Sequence, residues 1–373
     1  MTGQIYYILY NVIVLLIIFF LQLFMPKLTR KEIFFGVRIP EKELDNIKLK
    51  NIESSYIKIC LILGIPYIIL LTYLMYTYIE NPLIFILGMI LYLLINFVIY
   101  FSIHNKVKNI KSYYGWDKGK QQVVIIDTNF TMNKNKNVLV SQLWFLIPLT
   151  LIILNIIIGY NVYPNLPEKL PIHWNFAGEI DRYTIKSPKI IYQFPLIQFF
   201  MLIVLYFSYK SIGWSKQQIS SSNPEESLEK NRIFRRLWSG YMVFISIMMQ
   251  LIFTLANMTT LLVIKISASI IMLSILIPTT LILIVSIILS IKTGQGGSRI
   301  KLKNGTGFNT IITERNDDKY WKLGSFYVNK DDPAIFVEKR FGIGWTINFG
   351  RIEGILIFVA LIASIILIPL ILK

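Results

Sequence analysis

The residues that could carry acid–base chemistry are few, and they gather in one short segment. The chain has two histidines, and one of them, His173, is followed by Glu179 and Asp181. An imidazole beside carboxylates is typical of a general base or of part of a zinc site. A catalytic zinc ion needs three protein ligands, and the segment offers few further candidates. We therefore expect neither a metal nor a cofactor, and a hydrogen bond that fixes the loop is the favoured role of His173.

The other reactive side chains favour structural roles. Cys60 is the single cysteine and lies in an apolar run, so no disulfide can form within the chain. His104 is expected at the cytoplasmic end of a helix, where it can bond to carbonyl oxygens. No phosphate-binding loop, dinucleotide-binding glycine motif or serine-hydrolase motif occurs. No catalytic residue is therefore assigned, and the sequence favours a protein that is not an enzyme.

The composition places these residues in a membrane protein. Hydrophobic residues make up 54% of the 373 residues, charged residues 16%, and the mean hydropathy is +0.57. Soluble domains are about 45–50% apolar and about a quarter charged. Here the excess apolar residues form runs of about 20, the length that crosses a bilayer. The sequence predicts an all-α polytopic membrane protein with about eight transmembrane helices, at residues 6–25, 56–78, 83–103, 142–163, 190–210, 238–262, 267–291 and 353–372.

The distribution of charge predicts the orientation of these helices. The net charge is +17. Four segments are rich in lysine and arginine, namely 26–55, 104–141, 211–237 and 292–352. The short turns at 79–82 and 263–266 are poor in them. Because basic loops stay in the cytoplasm, we expect both termini outside and anionic lipid against the cytoplasmic side. No aromatic-basic groove or nucleic-acid motif occurs, so nucleic acid is not an expected partner.

The predicted helices divide the chain into five segments. These are a four-helix membrane segment (1–163), an extracellular loop (164–189), a three-helix membrane segment (190–291), a cytoplasmic module (292–352) and a final helix (353–373). In the module, residues 326–328 and 335–337 are β-formers around an Asn/Asp/Pro turn, which predicts a hairpin. A third strand is expected at 345–347, so the module should be small and β-rich.

Three stretches resemble known bacterial membrane proteins. Residues 166–183 read LPEKLPIHWNFAGEIDRY and resemble the signature of a membrane domain of unknown function found in SdpI-like proteins. Residues 35–40 read FGVRIP and resemble a loop that SdpI-like proteins carry at a cytoplasmic helix end. Residues 318–349, with YWKLGSFYVNKDDP and VEKRFGIGWTINF, resemble a second uncharacterised module. The SdpI-like family includes immunity proteins against secreted antimicrobial peptides, and some members signal by capturing a transcription repressor.

The resemblance implies immunity to, or sensing of, extracellular peptides or envelope stress, and it selects three sets of candidate residues. The outer set, for contact with a peptide or ligand, is His173, Trp174, Asn175, Gly178, Glu179, Asp181 and Tyr183. The module set is Trp321, Tyr327, Asn329, Asp332, Arg340, Trp345 and Asn348. The loop set is Gly36, Arg38 and Pro40.

Two other functions stay open at this stage. A membrane enzyme acting on lipid or peptide would use His173, Glu179 and Asp181 at the outer face. An accessory subunit of a transporter would need an ATPase from another chain. The basic module, through Lys339, Arg340 or Arg351, could also dock a cytoplasmic regulator or transporter subunit, although contact with anionic lipid is the favoured interpretation.

Overall fold

The computed structural model describes residues 2–30, 32–79, 81, 83–116, 138–174, 180–219, 224–302 and 317–371. Within these ranges the chain forms eight α-helices: α1 (Thr2–Leu28), α2 (Ile47–Thr77), α3 (Leu83–Tyr113), α4 (Leu146–Val162), α5 (Lys189–Trp214), α6 (Pro224–Thr260), α7 (Ala268–Thr293) and α8 (Ile352–Ile371). The first seven are long and apolar enough to cross a membrane, so this is a multi-pass membrane protein. Helix α8 lies at the eighth predicted position.

Several helices extend beyond their predicted ends. Helix α2 begins at Ile47 instead of 56, α3 ends at Tyr113 instead of 103, and α6 begins at Pro224 instead of 238. An apolar run marks only the part of a helix that lipid covers, and the added turns are polar. Asn46 caps α2 by accepting a hydrogen bond from the Lys48 amide, and α6 opens with two glutamates that favour a helix N-terminus.

The helices pack as two groups. In α1–α3, a core containing Leu15, Phe19, Leu71 and Tyr92 is buried between the three helices. In α4–α7, polar side chains join the helices inside the group. Asn155 of α4 donates to Gln198 of α5 at 2.8 Å, and Gln198 and Gln250 exchange bonds with each other's backbone. Interhelical amide contacts of this kind join helices inside a membrane.

Short strands form at both ends of the helices. Between α4 and α5, β3 (Lys169–Trp174) and β4 (Ile180–Ile185) form an antiparallel hairpin. At the opposite end of α5, the chain contributes β1 (Ile33–Phe34), β2 (Val37–Arg38), β5 (Trp321–Lys322), β6 (Phe326–Tyr327), β7 (Phe336–Glu338) and β8 (Trp345–Ile347). We call these two ends the hairpin face and the module face, and residues 317–351 the module.

The predicted pairing inside the module is wrong. Strand β6 pairs with β5, and β7 pairs with β8, so 326–328 and 335–337 do not form one hairpin. The strand at 345–347 is confirmed as β8. Asn348 explains the difference, because its buried amide donates to the carbonyls of Asn329, Asp332 and Ala334. The turn at 329–334 is therefore held by the Asn348 side chain, and the strands on either side of it do not pair with each other.

Candidate functional site

The hairpin is mounted on the helices by apolar side chains. Leu166 and Leu170 are buried against Ile190 and Ile191 at the start of α5, and against Leu261 just after α6. In β3, Leu170 is fully buried against the helices while the His173 side chain is exposed. The hairpin is thus held by one face and leaves the other free.

Of the outer candidate set, the structure joins His173 and Asp181. Nδ1 of His173 lies 2.5 Å from Oδ1 of Asp181, across the two strands, beside an irregularity in their register. Both side chains are exposed, and the hydrogen bond from His173 lowers the pKa of the Asp181 carboxyl. Asn175, Gly178 and Glu179 lie outside the described residues.

The free face of the hairpin is partly apolar. Ile180, Tyr183 and Ile185 of β4 are all exposed, and Trp174 of β3 is half-buried. Within the described part of the chain, strand β4 pairs with β3 on one side, so its other edge shows unpaired backbone groups. An extended peptide could add to such an edge, with its side chains resting on the apolar residues.

At the module face, the loop set and the module set come together around Arg340. This fully buried arginine donates to the Gly36 carbonyl at 3.1 Å and to the carboxylates of Asp317 and Asp318. Nε of Arg38 reaches Oδ1 of Asp317 at 3.2 Å. Nζ of Lys111, at the end of α3, reaches Oδ2 of Asp318 at 2.7 Å. We call this group of charges the Arg340 cluster.

The electrostatics of the Arg340 cluster favour the charged forms. Burial raises the pKa of Asp318, but Arg340 and Lys111 outweigh it and the pKa lies below its usual value. For Arg38 the signs are reversed. Burial lowers its pKa, but the carboxylates of Asp317, Glu32 and Asp318 have the larger effect, so the pKa lies above its usual value. Each charge is therefore stabilised by its neighbours, and the cluster joins the module to α1–α3.

The FGVRIP loop needs its glycine to fit beneath the module. Phe35 and Gly36 turn between β1 and β2 with φ of 46° and 78°, a region that a glycine enters freely. A Cβ on Gly36 would collide with the Tyr100 hydroxyl and with the backbone of Gly324. Pro40 follows the turn and accepts a hydrogen bond from Glu43. The loop therefore supports the module by close backbone contact.

His104 has a different role from the expected one. It lies within α3 and not at the helix end, and its Nδ1 is 2.8 Å from the Phe35 carbonyl oxygen. Because α3 continues to Tyr113, the carbonyls of its last turn are far from this ring. His104 thus fixes the FGVRIP loop instead of capping its own helix.

A second group of buried charges, which the sequence did not predict, surrounds Glu338. Its carboxylate is fully buried and accepts hydrogen bonds from Nη2 of Arg30 at 2.6 Å and from Nδ2 of Asn231 at 2.5 Å. Arg235 lies 3.8 Å away and also donates to the carbonyls of Ile212 and Ser215. Glu338 is the one acidic residue between 333 and 352, a signal that could have marked it. It ties the module to α1, α5 and α6.

A third contact fixes the module to the end of α5. Lys216 donates to Asp332 at 2.7 Å, and its backbone amide donates to the Phe336 carbonyl at 2.8 Å. Tyr327 also donates to Asp332 at 2.7 Å. These bonds outweigh burial and lower the pKa of Asp332.

The remaining module candidates are packing and turn residues. The Arg340 guanidinium lies 5.3 Å from the Trp321 ring centre, and the Trp345 ring packs on Phe234 of α6. The Asn348 side chain accepts a hydrogen bond from the Asn329 backbone amide and donates one to the Asn329 carbonyl. Because Arg340 is fully buried, it cannot dock a partner as the sequence suggested, whereas Lys339 is exposed.

The charges of the Arg340 cluster, Glu338 and Asp332 are paired and largely buried, so they fix the geometry of the chain. Among the described residues, no three His, Cys, Asp or Glu side chains converge as a metal site would require.

Two family models match parts of the chain. A domain of unknown function (DUF1648) matches residues 150–199, which contain most of α4, the hairpin and the start of α5. A family of unknown function (DUF5808) matches residues 330–355, which contain Asp332, Glu338, Arg340 and Asn348. No curated protein and no solved structure matches the chain. Each match therefore falls at one end of the helices. The first includes the hairpin, and the second includes part of the module.

Proposed function

We propose that this is a bacterial plasma-membrane protein of SdpI-like type that senses, or gives immunity to, extracellular antimicrobial peptides, without catalysis. In this proposal eight helices cross the membrane, both termini lie outside, the hairpin is extracellular and the module is cytoplasmic. The basic residues at the module face support this orientation, because lysine and arginine are retained on the cytoplasmic side.

The observation that carries the proposal is that α5 and α6 each contact the hairpin at one end and the module at the other. Ile190 and Ile191 of α5, and Leu261 after α6, hold the hairpin. Lys216 after α5 and Asn231 of α6 bind Asp332 and Glu338 of the module. A peptide that shifts the hairpin would therefore act on the module through two rigid helices, which is a physical route for signalling.

The test is survival of a peptide-sensitive bacterium that expresses this chain, challenged with a panel of secreted antimicrobial peptides. We expect protection against at least one peptide, and loss of that protection in Tyr183→Ala. The matched control is Tyr78→Ala, because Tyr78 is equally exposed, at 55% against 57%, and lies at the same end of the helices. Lys216→Met should lose signalling while it keeps peptide binding.

Failure has a clear form in this test. The immunity proposal is wrong if the protein is inserted in the membrane at normal levels and the bacterium survives no peptide in the panel better than the same bacterium without this chain. If Tyr78→Ala and Tyr183→Ala lose protection equally, the hairpin is not the contact surface.

The orientation is tested separately by labelling single cysteines in a Cys60→Ser background. Arg182 of the hairpin and Lys330 of the module are both exposed. A membrane-impermeant maleimide should label Arg182→Cys in intact cells and Lys330→Cys only after permeabilisation. The reverse pattern would contradict the proposed orientation.

One observation favours the alternative of a membrane enzyme at the hairpin face. Asp181 binds Nδ1 of His173, the arrangement that orients an imidazole for general-base catalysis. Purified protein incubated with bacterial lipid extract would then form a product that His173→Ala fails to form. If no lipid or peptide is altered by the unmodified protein, this alternative is removed.

A further inference from the structure

A cleft of about 460 Å³ lies between α1 and α7, next to the module face. Its walls are apolar side chains from both helices, including Phe20, Leu21 and Phe24 of α1 and Ile287 and Ile291 of α7. Phe20, Phe24 and Ile291 are all exposed in the chain by itself. Inside the membrane, a lipid acyl chain fits an exposed apolar surface of this kind.

The mouth of the cleft is basic. Lys27, in the last turn of α1, and Arg299, just after α7, both line it, together with Ser290. Nη2 of Arg299 donates to the Lys27 carbonyl at 2.6 Å and Nη1 to the Ile291 carbonyl at 3.2 Å, so the guanidinium is held at this position. A guanidinium has five N–H donors, and these two bonds leave others for an anion.

Acidic groups balance these cations only weakly. The carboxylate of Glu53 is 3.9 Å from Nζ of Lys27, the limit of an ion pair, and the Lys27 side chain is 56% exposed. No acidic side chain is among the described residues that line the cleft. The site therefore offers an apolar channel that ends in two cations.

We propose that this cleft binds one anionic phospholipid, with an acyl chain along α1 and α7 and its phosphate at Lys27 and Arg299. A free phosphate would make no use of the apolar walls. A zwitterionic lipid would bring its own cation to a mouth that already holds two. The apolar walls and basic mouth together select a lipid with a net negative headgroup.

A lipid bound in this cleft would also affect how the helices are held together. Helix α7 is poorly covered by protein, with 6% of its most apolar stretch buried against 28% in α4, α5 and α6. The cleft also lies at the seam between α1–α3 and α4–α7. A lipid bound there would cover α7 and join the two helix groups within the membrane, independently of any peptide at the hairpin.

The test titrates the delipidated full chain, in a neutral detergent, with dioleoyl phosphatidylglycerol and follows bound lipid by native mass spectrometry. We expect one tightly bound lipid, and binding weaker by about thirtyfold in Lys27→Gln/Arg299→Gln. The matched control is Lys106→Gln/Lys108→Gln, which removes two exposed cations from the same face and should change affinity by less than about twofold. Dioleoyl phosphatidylcholine should bind weakly, and glycerol 1-phosphate should not compete.

A second variant keeps the test independent of the cations. Ser290→Leu adds volume within the cleft and should weaken phosphatidylglycerol binding while the basic mouth is retained, and Arg299→Lys should preserve most of the affinity. The proposal is overturned if the two double variants weaken binding equally, if glycerol 1-phosphate competes as well as the lipid, or if no saturable binding occurs.

Discussion

The hairpin face and the module face use charge in opposite ways. At the hairpin face, His173 and Asp181 form one exposed pair above an apolar anchor. At the module face, Arg340, Glu338 and Asp332 are buried, and each is bonded to a different helix or loop. Exposed pairs contribute little to stability, whereas a buried charge that loses its partner is costly. The hairpin therefore tolerates change and suits recognition, while the module fixes the geometry of the helices.

The largest effect is expected from Glu338→Gln. The change leaves Arg30 and Arg235 buried without their carboxylate, which should lower the free energy of unfolding by about 3–5 kcal/mol. The matched control is Glu353→Gln, because Glu353 pairs with Arg351 at the surface with 44% of its side chain exposed. The control should cost less than about 1 kcal/mol. Thermal unfolding in detergent measures both, and equal losses would contradict the distinction between buried and exposed charges.

The next largest effect is expected at Gly36. Gly36→Ala places a Cβ against Tyr100 and Gly324 at a φ of 78°, and should destabilise the protein by about 1–3 kcal/mol. Gly240→Ala in α6 is the control, because its Cβ would lie 3.6 Å from Val140 in ordinary contact and a helix favours alanine. Unfolding midpoints of the two variants should move in opposite directions. A loss at Gly240 as large as that at Gly36 would contradict the close-contact argument.

Acid should weaken the module face first. Asp318 and Asp332 have pKa values below the usual 3.8, so the stability they contribute is full above that value and is lost as the pH falls through their lower folded values. The unfolding midpoint measured against pH should decline below pH 3.8. Asp318→Asn/Asp332→Asn should flatten that decline, whereas Asp181→Asn, at the exposed pair, should leave it almost unchanged. An unaltered acid slope in the double variant would show that other groups control it.

The smallest effect on stability is expected at the hairpin. His173→Ala removes an exposed hydrogen bond to Asp181 and should cost less than about 1 kcal/mol. The same variant should still alter peptide tolerance, because the bond sets the geometry of the two strands. A loss of several kcal/mol would mean that the hairpin is as integral to the fold as the module.

Much of the membrane architecture was predictable, since a span needs a long apolar run and the chain has several. Helix boundaries were not, because the polar turns of α2 and α6 continue past the apolar runs. The tie between FGVRIP and the C-terminal module was also not predictable. Arg340 and Gly36 are 304 residues apart, and nothing local to either residue indicates the contact.

The sequence by itself determined that this is a multi-pass membrane protein, because apolar length and charge distribution act through the bilayer, which is a uniform environment along the chain. It also determined where the special segments lie, since the hairpin signature, the FGVRIP loop and the module are visible as motifs. Only the tertiary structure decided which motifs meet. Pairing of buried charges depends on how distant helices pack, and Glu338 acquires its role only where Arg30, Asn231 and Arg235 converge.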